Sequence, residues 1–166
     1  IPVIEDAAQA IGSSNWGHAD FTIVSFQAIK MLTTGDGGML ICKNEIDAKH
    51  AKRLRWFGMD REERHLTGDS DIFEPGYKFH MNNIAAAIGR ANLKALDPII
   101  AHRSRLSAFY NSYKFKKNIP VTVHAGSWAC RVITDDRDNL RKYLLTKGIE
   151  SGIHHFRNDI YSVFGK

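Results

Sequence analysis

Asp6, Ala8, Gln9, Ser25 and Lys30, in the stretches "VIEDAAQA" and "VSFQAIKMLTTGDGG", supply a carboxylate, a small flat contact, an amide, a hydroxyl and an amine within thirty residues. Asp6 and Ser25 sit at or near the ends of two apolar runs that read as buried strands, and Lys30 falls in the turn after the second. Ligands of open α/β sheets bind beyond the carboxyl ends of strands, so these side chains can converge on one ligand. That combination matches what pyridoxal phosphate needs: an amine to condense with its aldehyde, an anion to hold the proton on its ring nitrogen, a hydroxyl for its phosphate, and a small residue against which its ring packs flat. Lys30 would then also serve as general base and acid. Each residue also has a plainer reading. A lysine beside glycines can be a surface residue whose stem covers apolar area, and an aspartate at a strand end can be a cap or turn former.

The elements that must position these groups follow from pattern. "PVIED", "FTIVSF" at 21–26 and "GGMLICK" at 37–43 read as strands, with a short helical turn and a loop between the first two. Asn44, with Asp47 three residues on, predicts a helix running through "EIDAKHAKRLRWF" to a stop at Gly58. Residues 59–81 read as a long, polar, irregular loop. Asn82 or Asn83 caps "IAAAIGRANLKAL", Asp97-Pro98 breaks it, and an amphipathic helix follows over 99–115, with Ile99, Ile100, Leu106, Phe109 and Tyr113 on or near one face. Strand "WACRVIT", helix "RDNLRKYLLTKG" and strand "IESGIHH" predict a βαβ-like unit.

Composition narrows the function classes. The chain has 166 residues, of which 43% are hydrophobic, enough for a core. No run is long enough to span a membrane and no signal peptide opens the chain, which implies a soluble, cytoplasmic protein without a membrane partner. Cys42 and Cys130 lack CxxC spacing and read as buried thiols, and no metal-ligand spacing occurs; adjacent His154 and His155 alternate faces on a strand. A net charge of +5 admits a nucleic-acid partner. In "KHAKRLRWFGMDREERH" at 49–65, however, the signs are mixed, and Trp16, Trp56 and Trp128 lie in no stacking run, which argues against one. That stretch reads as a solvated helix face or as a local anion site for phosphates.

"VIEDAAQAIG", "SFQAIKMLTTGDGGML", "GYKFHMNNIAAAIGRANLKALD" and "IESGIHH" together resemble the DegT/StrS-type sugar aminotransferases, pyridoxal-phosphate enzymes of the aspartate-aminotransferase fold (fold type I). The resemblance implies an α/β chain in which residues 1–97 are the C-terminal part of the cofactor-binding large domain. Residues 98–166 would be a small α/β C-terminal lobe, entered through a long helix and incomplete at its end. It implies Asp6 as the pyridinium partner, Ala8 under the ring, Gln9 near the ring hydroxyl, Ser25 on the phosphate and Lys30 as the covalent attachment point. Lys78 stands where relatives carry the asparagine of "GYNFRM" that reaches a neighbouring subunit's cofactor phosphate, so a homodimer with shared sites is implied. His155 lines the site on this reading, and Arg157 is a phosphate contact. The implied reaction converts a nucleotide-linked keto sugar to an amino sugar in amino-sugar and polysaccharide biosynthesis, with glutamate as nitrogen donor. Family chains extend upstream of "VIEDAAQA", so the sequence reads as a piece lacking that N-terminal part, with an open apolar sheet edge. Two alternatives remain: a catalytically idle or regulatory protein on the same fold, and a sugar deoxygenase relative, which would carry histidine where Lys30 stands.

Overall fold

The computed structural model describes residues 1–69, 71–117, 121–123, 128–153 and 155–165, without the side chains of 113–117 and 121–123. Three strands form a sheet in the order β1 (Ile4–Asp6), β2 (Phe21–Ser25), β3 (Gly38–Cys42). β1 runs parallel to β2 with Asp6 beside Ile23, and β3 returns antiparallel with Gly38 beside Ser25. Side chains alternate along a strand, so this register puts Asp6, Ile23 and Ser25 on one face of the sheet and Thr22 and Val24 on the other. Thr22 and Val24 are buried, and Val24 joins Ala7 and Phe26 in a core flanked by Ala10, Ile11, Trp16 and Leu32. The face carrying Asp6 and Ser25 stays open: Ile23 and Leu40 are exposed on it.

β1 differs from its expectation. It is an edge strand whose Ile4 is 66% exposed, and only Glu5 is half-buried. The described residues lay cover on the β2 side of the sheet, where "AAQAI" folds back in two consecutive turns (Ala10 N–H to Ala7 O 3.0 Å, Ser13 N–H to Ala10 O 2.8 Å). An apolar residue in an edge strand is buried only if something packs on it.

The helix α1 (Glu45–Leu54) begins as expected: Asn44 Oδ1 accepts the Asp47 N–H at 2.9 Å. It stops one turn before Gly58, because Phe57 and Gly58 are both left-handed (φ 60° and 79°). Here glycine is required twice over. A Cβ on Gly58 would overlap the Glu74 carbonyl oxygen, and one on Gly76 would overlap the Gly58 backbone. This close approach lets residues 77–79 dock on the end of α1, through Tyr77 N–H to Leu54 O (2.6 Å) and Phe79 N–H to Arg55 O (3.0 Å).

Within the stretch expected to be irregular lies a helix, α2 (Arg61–Thr67). It is exposed on all sides and therefore lacks the apolar period that announces a helix. Its punctuation was present: Asp60 Oδ1 accepts from Glu62 and Glu63 at 3.0 and 3.2 Å, and Gly68 closes it at φ 80°. Asn82 caps α3 (Asn83–Leu93), accepting the Ala85 N–H at 2.8 Å. Asp97-Pro98 does not break the path. The interruption falls at Lys94–Ala95, and Pro98 sits in the first turn of α4 (Leu96–Lys117), where its missing N–H would have had no helical partner. Ile99 and Ile100 are half-buried as expected, with Ile100 against Gly12, but Leu106 and Phe109 are exposed; the Tyr113 side chain lies outside the described residues.

Beyond α4 the expected strand in "WACRVIT" and helix in "RDNLRKYLLTKG" are present as β5 (Cys130–Val132) and α5 (Arg137–Thr146), but β5 pairs antiparallel with β4 (Val121–Val123) and not with a strand after the helix. Residues 149–153 and His155 form no strand, and His154 lies outside the described residues. Arg141 Nε donates to the Ser151 carbonyl at 3.3 Å, taking an acceptor that a ladder would use. Two short 3-10 turns, Asn158–Ile160 and Ser162–Phe164, follow. Cys42 is half-buried but Cys130 is exposed, contrary to expectation. Among the described residues no helix is long and apolar enough to cross a membrane.

Candidate functional site

Asp6 is the last residue of β1, and its Oδ1 accepts the Ala8 N–H at 3.0 Å. The carboxylate is thereby fixed at the strand end while Oδ2 has no protein donor among the described residues. Ser25 ends β2 on the same sheet face, and its Oγ accepts the Gln27 N–H at 3.3 Å, leaving the hydroxyl proton to donate elsewhere. Ala8 and Gln9 follow Asp6 and are half-buried.

Lys30 lies in the loop between β2 and β3, and "TTGDGG" closes that loop. The Phe26 carbonyl accepts both the Thr34 N–H and the Thr33 hydroxyl (3.0 Å each), the Phe26 N–H donates to Gly37 O at 2.9 Å, and buried Thr34 donates through Oγ1 to Asp36 O at 2.5 Å. From outside, Asn92 of α3 donates to Thr33 O at 2.9 Å, and Gly89 presents no side chain where Thr34 packs. The loop is thus cross-tied at both ends and buttressed by a helix. Residues 27–32 form the span left between these ties, with Lys30 N–H bonded to Gln27 O at 2.9 Å.

The Lys30 amine has a partner that sequence reasoning missed. Its Nζ lies 4.6 Å from the ring centroid of Trp128, whose indole N–H donates to the Ile29 carbonyl at 3.2 Å. Arg103 of α4 in turn donates to the Trp128 carbonyl at 3.0 Å. A cation over an indole face is attracted by the ring quadrupole, so Trp128 both grips the loop and seats the ammonium. No local signal announces such a contact between distant parts of the chain.

Lys78, also expected at the site, is exposed and pairs through its backbone with Trp56 at the end of α1. Its described contacts belong to that corner and not to the strand ends. His155 is exposed, and Arg157 is exposed with its guanidinium held by Asp159 (3.0 and 2.5 Å).

On the closed face, Glu5 organises the loop that precedes β2. The Gly17 N–H (2.8 Å), with the His18 N–H and the Thr22 hydroxyl (3.2 Å each), holds its carboxyl below the usual range. Burial, followed by the Asp47 charge, pushes the Cys42 thiol up, which keeps it protonated and unreactive.

Residues 1–163 match the sequence model of the DegT/DnrJ/EryC1/StrS aminotransferase family. Among solved structures the chain is similar to AtS13 from Actinomadura melliaura, at 33% identity and a TM-score of 0.86 over 98% of this chain and 47% of that one. It is similar to the sugar aminotransferase CalS13 from Micromonospora echinospora at 30% identity and a TM-score of 0.85, again covering 98% and 47%. Spr1654 from Streptococcus pneumoniae, solved in a PLP form, matches at 25% identity and a TM-score of 0.81, covering 99% of this chain and 46% of that one. The chain therefore spans just under half the length of these structures.

Proposed function

The chain belongs to the DegT/DnrJ/EryC1/StrS aminotransferase family, and from that premise we propose that it is part of a pyridoxal-phosphate-dependent enzyme that transfers an amino group to a keto sugar. The observation that carries the reading is the shared sheet face: Asp6 and Ser25 at the carboxyl ends of adjacent parallel strands, with Lys30 in the loop that follows. These groups fit the cofactor chemically, with one carboxylate oxygen lacking a protein donor among the described residues, one hydroxyl proton available, and one amine on a loop fixed at both ends.

When bound, the cofactor supplies an electron sink that makes the hydrogen on an amine-bearing carbon acidic. The chain's own residues do the rest. Asp6, held by the Ala8 N–H, keeps a proton on the ring nitrogen by ion pairing through its second oxygen. Ser25 donates to phosphate. Lys30 would hold the cofactor through Nζ, and as a free amine would take a proton from substrate carbon and return it at the neighbouring position. Ala8 presents a small surface to the ring, and Gln9 offers an amide to the ring hydroxyl.

The finer reading follows the family: a sugar carried on a nucleoside diphosphate, glutamate as nitrogen donor, and a homodimer in which Lys78 reaches the partner's cofactor phosphate. Exposed Lys78 on a docked segment supports a role outside its own strand-end set. Its test is subunit mixing: Lys78→Ala and Lys30→Ala chains, combined, should recover activity in mixed dimers, and mixtures no better than Lys78→Ala alone remove the contact in trans.

The primary experiment adds pyridoxal phosphate, reduces with borohydride and maps the labelled peptide; glutamate is added to a second, unreduced sample. A visible absorption band that glutamate bleaches, with the label on Lys30, is the expected result. Label on Lys43 or Lys78 instead, or no band, would overturn the assignment.

A further inference from the structure

Both neighbours of Lys30 are held by one face of α4. On one side, Met31 is buried and its side chain packs at Gly12 beside Ile100 of α4: a Cβ on Gly12, which is left-handed at φ 90°, would meet both. On the other side, the Ile29 carbonyl accepts the Trp128 indole N–H at 3.2 Å, and Arg103 of α4 donates to the Trp128 carbonyl at 3.0 Å. Ile100 and Arg103 are three residues apart and therefore share a face of the helix. Trp128 stands two residues before β5, outside the ladder that holds that strand, so the Arg103 donor ties its main chain to α4 instead. The indole uses its two polarities in two directions. Its electron-poor N–H edge grips the Ile29 carbonyl, and its electron-rich face lies 4.6 Å from Lys30 Nζ. A displacement of the ring would shift the backbone before the lysine and the amine at its tip together.

We infer that Arg103 is a positioning residue for the Lys30 amine, acting through Trp128. A lysine stem is rotamer-rich, and its amine meets a carbonyl carbon from a defined side only when something holds the stem. The ties at Phe26, Thr33 and Thr34 fix the ends of the loop. The α4 face adds a hold on residues 29 and 31, and the indole seats the side chain between them. Arg103 bonds the main chain of Trp128, so its influence on the amine passes through the ring. The seat also competes with condensation, because the amine must leave the indole face to reach a carbonyl carbon. That this positioning serves amino transfer rests on the function proposed above; the placement of the amine does not.

The test is reductive methylation of the full chain with formaldehyde and cyanoborohydride, without pyridoxal phosphate, followed lysine by lysine through peptide mass spectrometry. Trp128→Leu should raise the Lys30 rate about 2–5-fold, the equivalent of an exposed cation–π contact. Arg103→Met keeps an apolar stem but removes the donors, and should raise the rate by a smaller factor; Arg103→Lys, which restores a donor, should lie nearer the unaltered chain. Trp128→Leu combined with Arg103→Met should match Trp128→Leu alone, since the route from α4 to the amine is already cut. An arginine with a merely structural role would loosen the loop in either background, so the combined variant separates the two. Lys43, ion-paired with Asp20 at the far end of β3, should react at one rate in every chain. Lys30 reacting at the unaltered rate in Arg103→Met, or an Arg103→Met increment that persists beside Trp128→Leu, overturns the inference. Where Arg103→Met does not fold, Arg103→Gln is read by the same two criteria. A chain whose Lys30 responds to Arg103 in this way but is never labelled through pyridoxal phosphate keeps the positioning and loses the activity. Label at Lys30 with methylation indifferent to Arg103 does the reverse.

Discussion

Around Lys30 the chain is held largely by its own backbone: Phe26 ties the loop at Thr34 and Gly37, and the side chains recruited are short hydroxyls, Asn92 and the Trp128 indole. At the α1–α2 corner the backbone interlocks at Gly58 and Gly76, and the pocket between α1, α2 and residues 80–81 is lined mostly by charged side chains, with Trp56, Met59, His80 and Met81 among them, all exposed or half-exposed. The first region spends few charged groups and fixes them; the second gathers many and lets them pair with each other. Positional accuracy at the strand ends should therefore survive salt and surface substitution. The corner should respond to ionic strength while depending for its shape on two residues without side chains.

Lys30→Ala is the most severe break on the strand-end side. Turnover should fall by at least about 10²–10⁴-fold, the span for losing a positioned proton-transfer group, while the melting temperature changes little. Asp6→Asn, nearly isosteric, should follow the same split. A variant that loses fold and turnover together would show that the site is not independent of its scaffold.

On the corner side the largest effect is structural. Gly58→Ala forces a Cβ into a left-handed residue and against the Glu74 carbonyl, and should cost about 2–4 kcal/mol in a urea titration. Lys30 labelling should persist in the fraction that stays folded. Were Gly58→Ala neutral, the interlock would not be what shapes the corner.

Smaller changes sharpen the contrast. Asn92→Ala removes the helix's tie to Thr33 and should destabilise by about 1 kcal/mol. Trp128→Leu takes away the seat for the Lys30 ammonium, and should raise the rate of borohydride-trapped labelling at Lys30 by about 2–5-fold, the equivalent of a cation–π contact at an exposed site. Trp128→Phe, which keeps a ring, should lie between. Equal rates in all three chains would mean that the indole only grips the loop.

Acid provides the mildest test. Glu5 titrates lower in the fold than its ordinary value of 4.5, so its hydrogen bonds contribute fully above that pH and are lost as pH falls through the lower, folded value. The melting temperature should decline below about pH 4.5, and Glu5→Gln should flatten that decline without abolishing it, because Glu45 and Asp138 are also held low by Lys49 and Arg137. An unchanged acid limb in Glu5→Gln would remove this anchor from the account.

What could be read in advance follows the same division. The strand ends, the Asn44 and Asn82 caps and the loop at Lys30 were legible, because apolar runs, caps and glycines act over a few residues. Helix α2 was not, being polar but for the single exposed Leu66, and Pro98 misled because proline is excluded from helix interiors but welcome in a first turn. Residues 149–153 alternate too weakly to be a strand without a partner to pair with, and sequence does not reveal the partner. Trp128 escaped for the plainest reason: the carbonyl that it holds belongs to Ile29, 99 positions away.

The Gly58–Gly76 interlock also bears on how a mutational scan of this chain would look. Both positions would tolerate almost nothing, since any side chain at one would collide with the main chain of the other's turn. On a fitness map they would be indistinguishable from Lys30, although neither carries a reactive group. Intolerance here is a record of clearance as much as of chemistry, and only a readout that separates folded amount from rate per folded molecule would tell the two kinds of position apart.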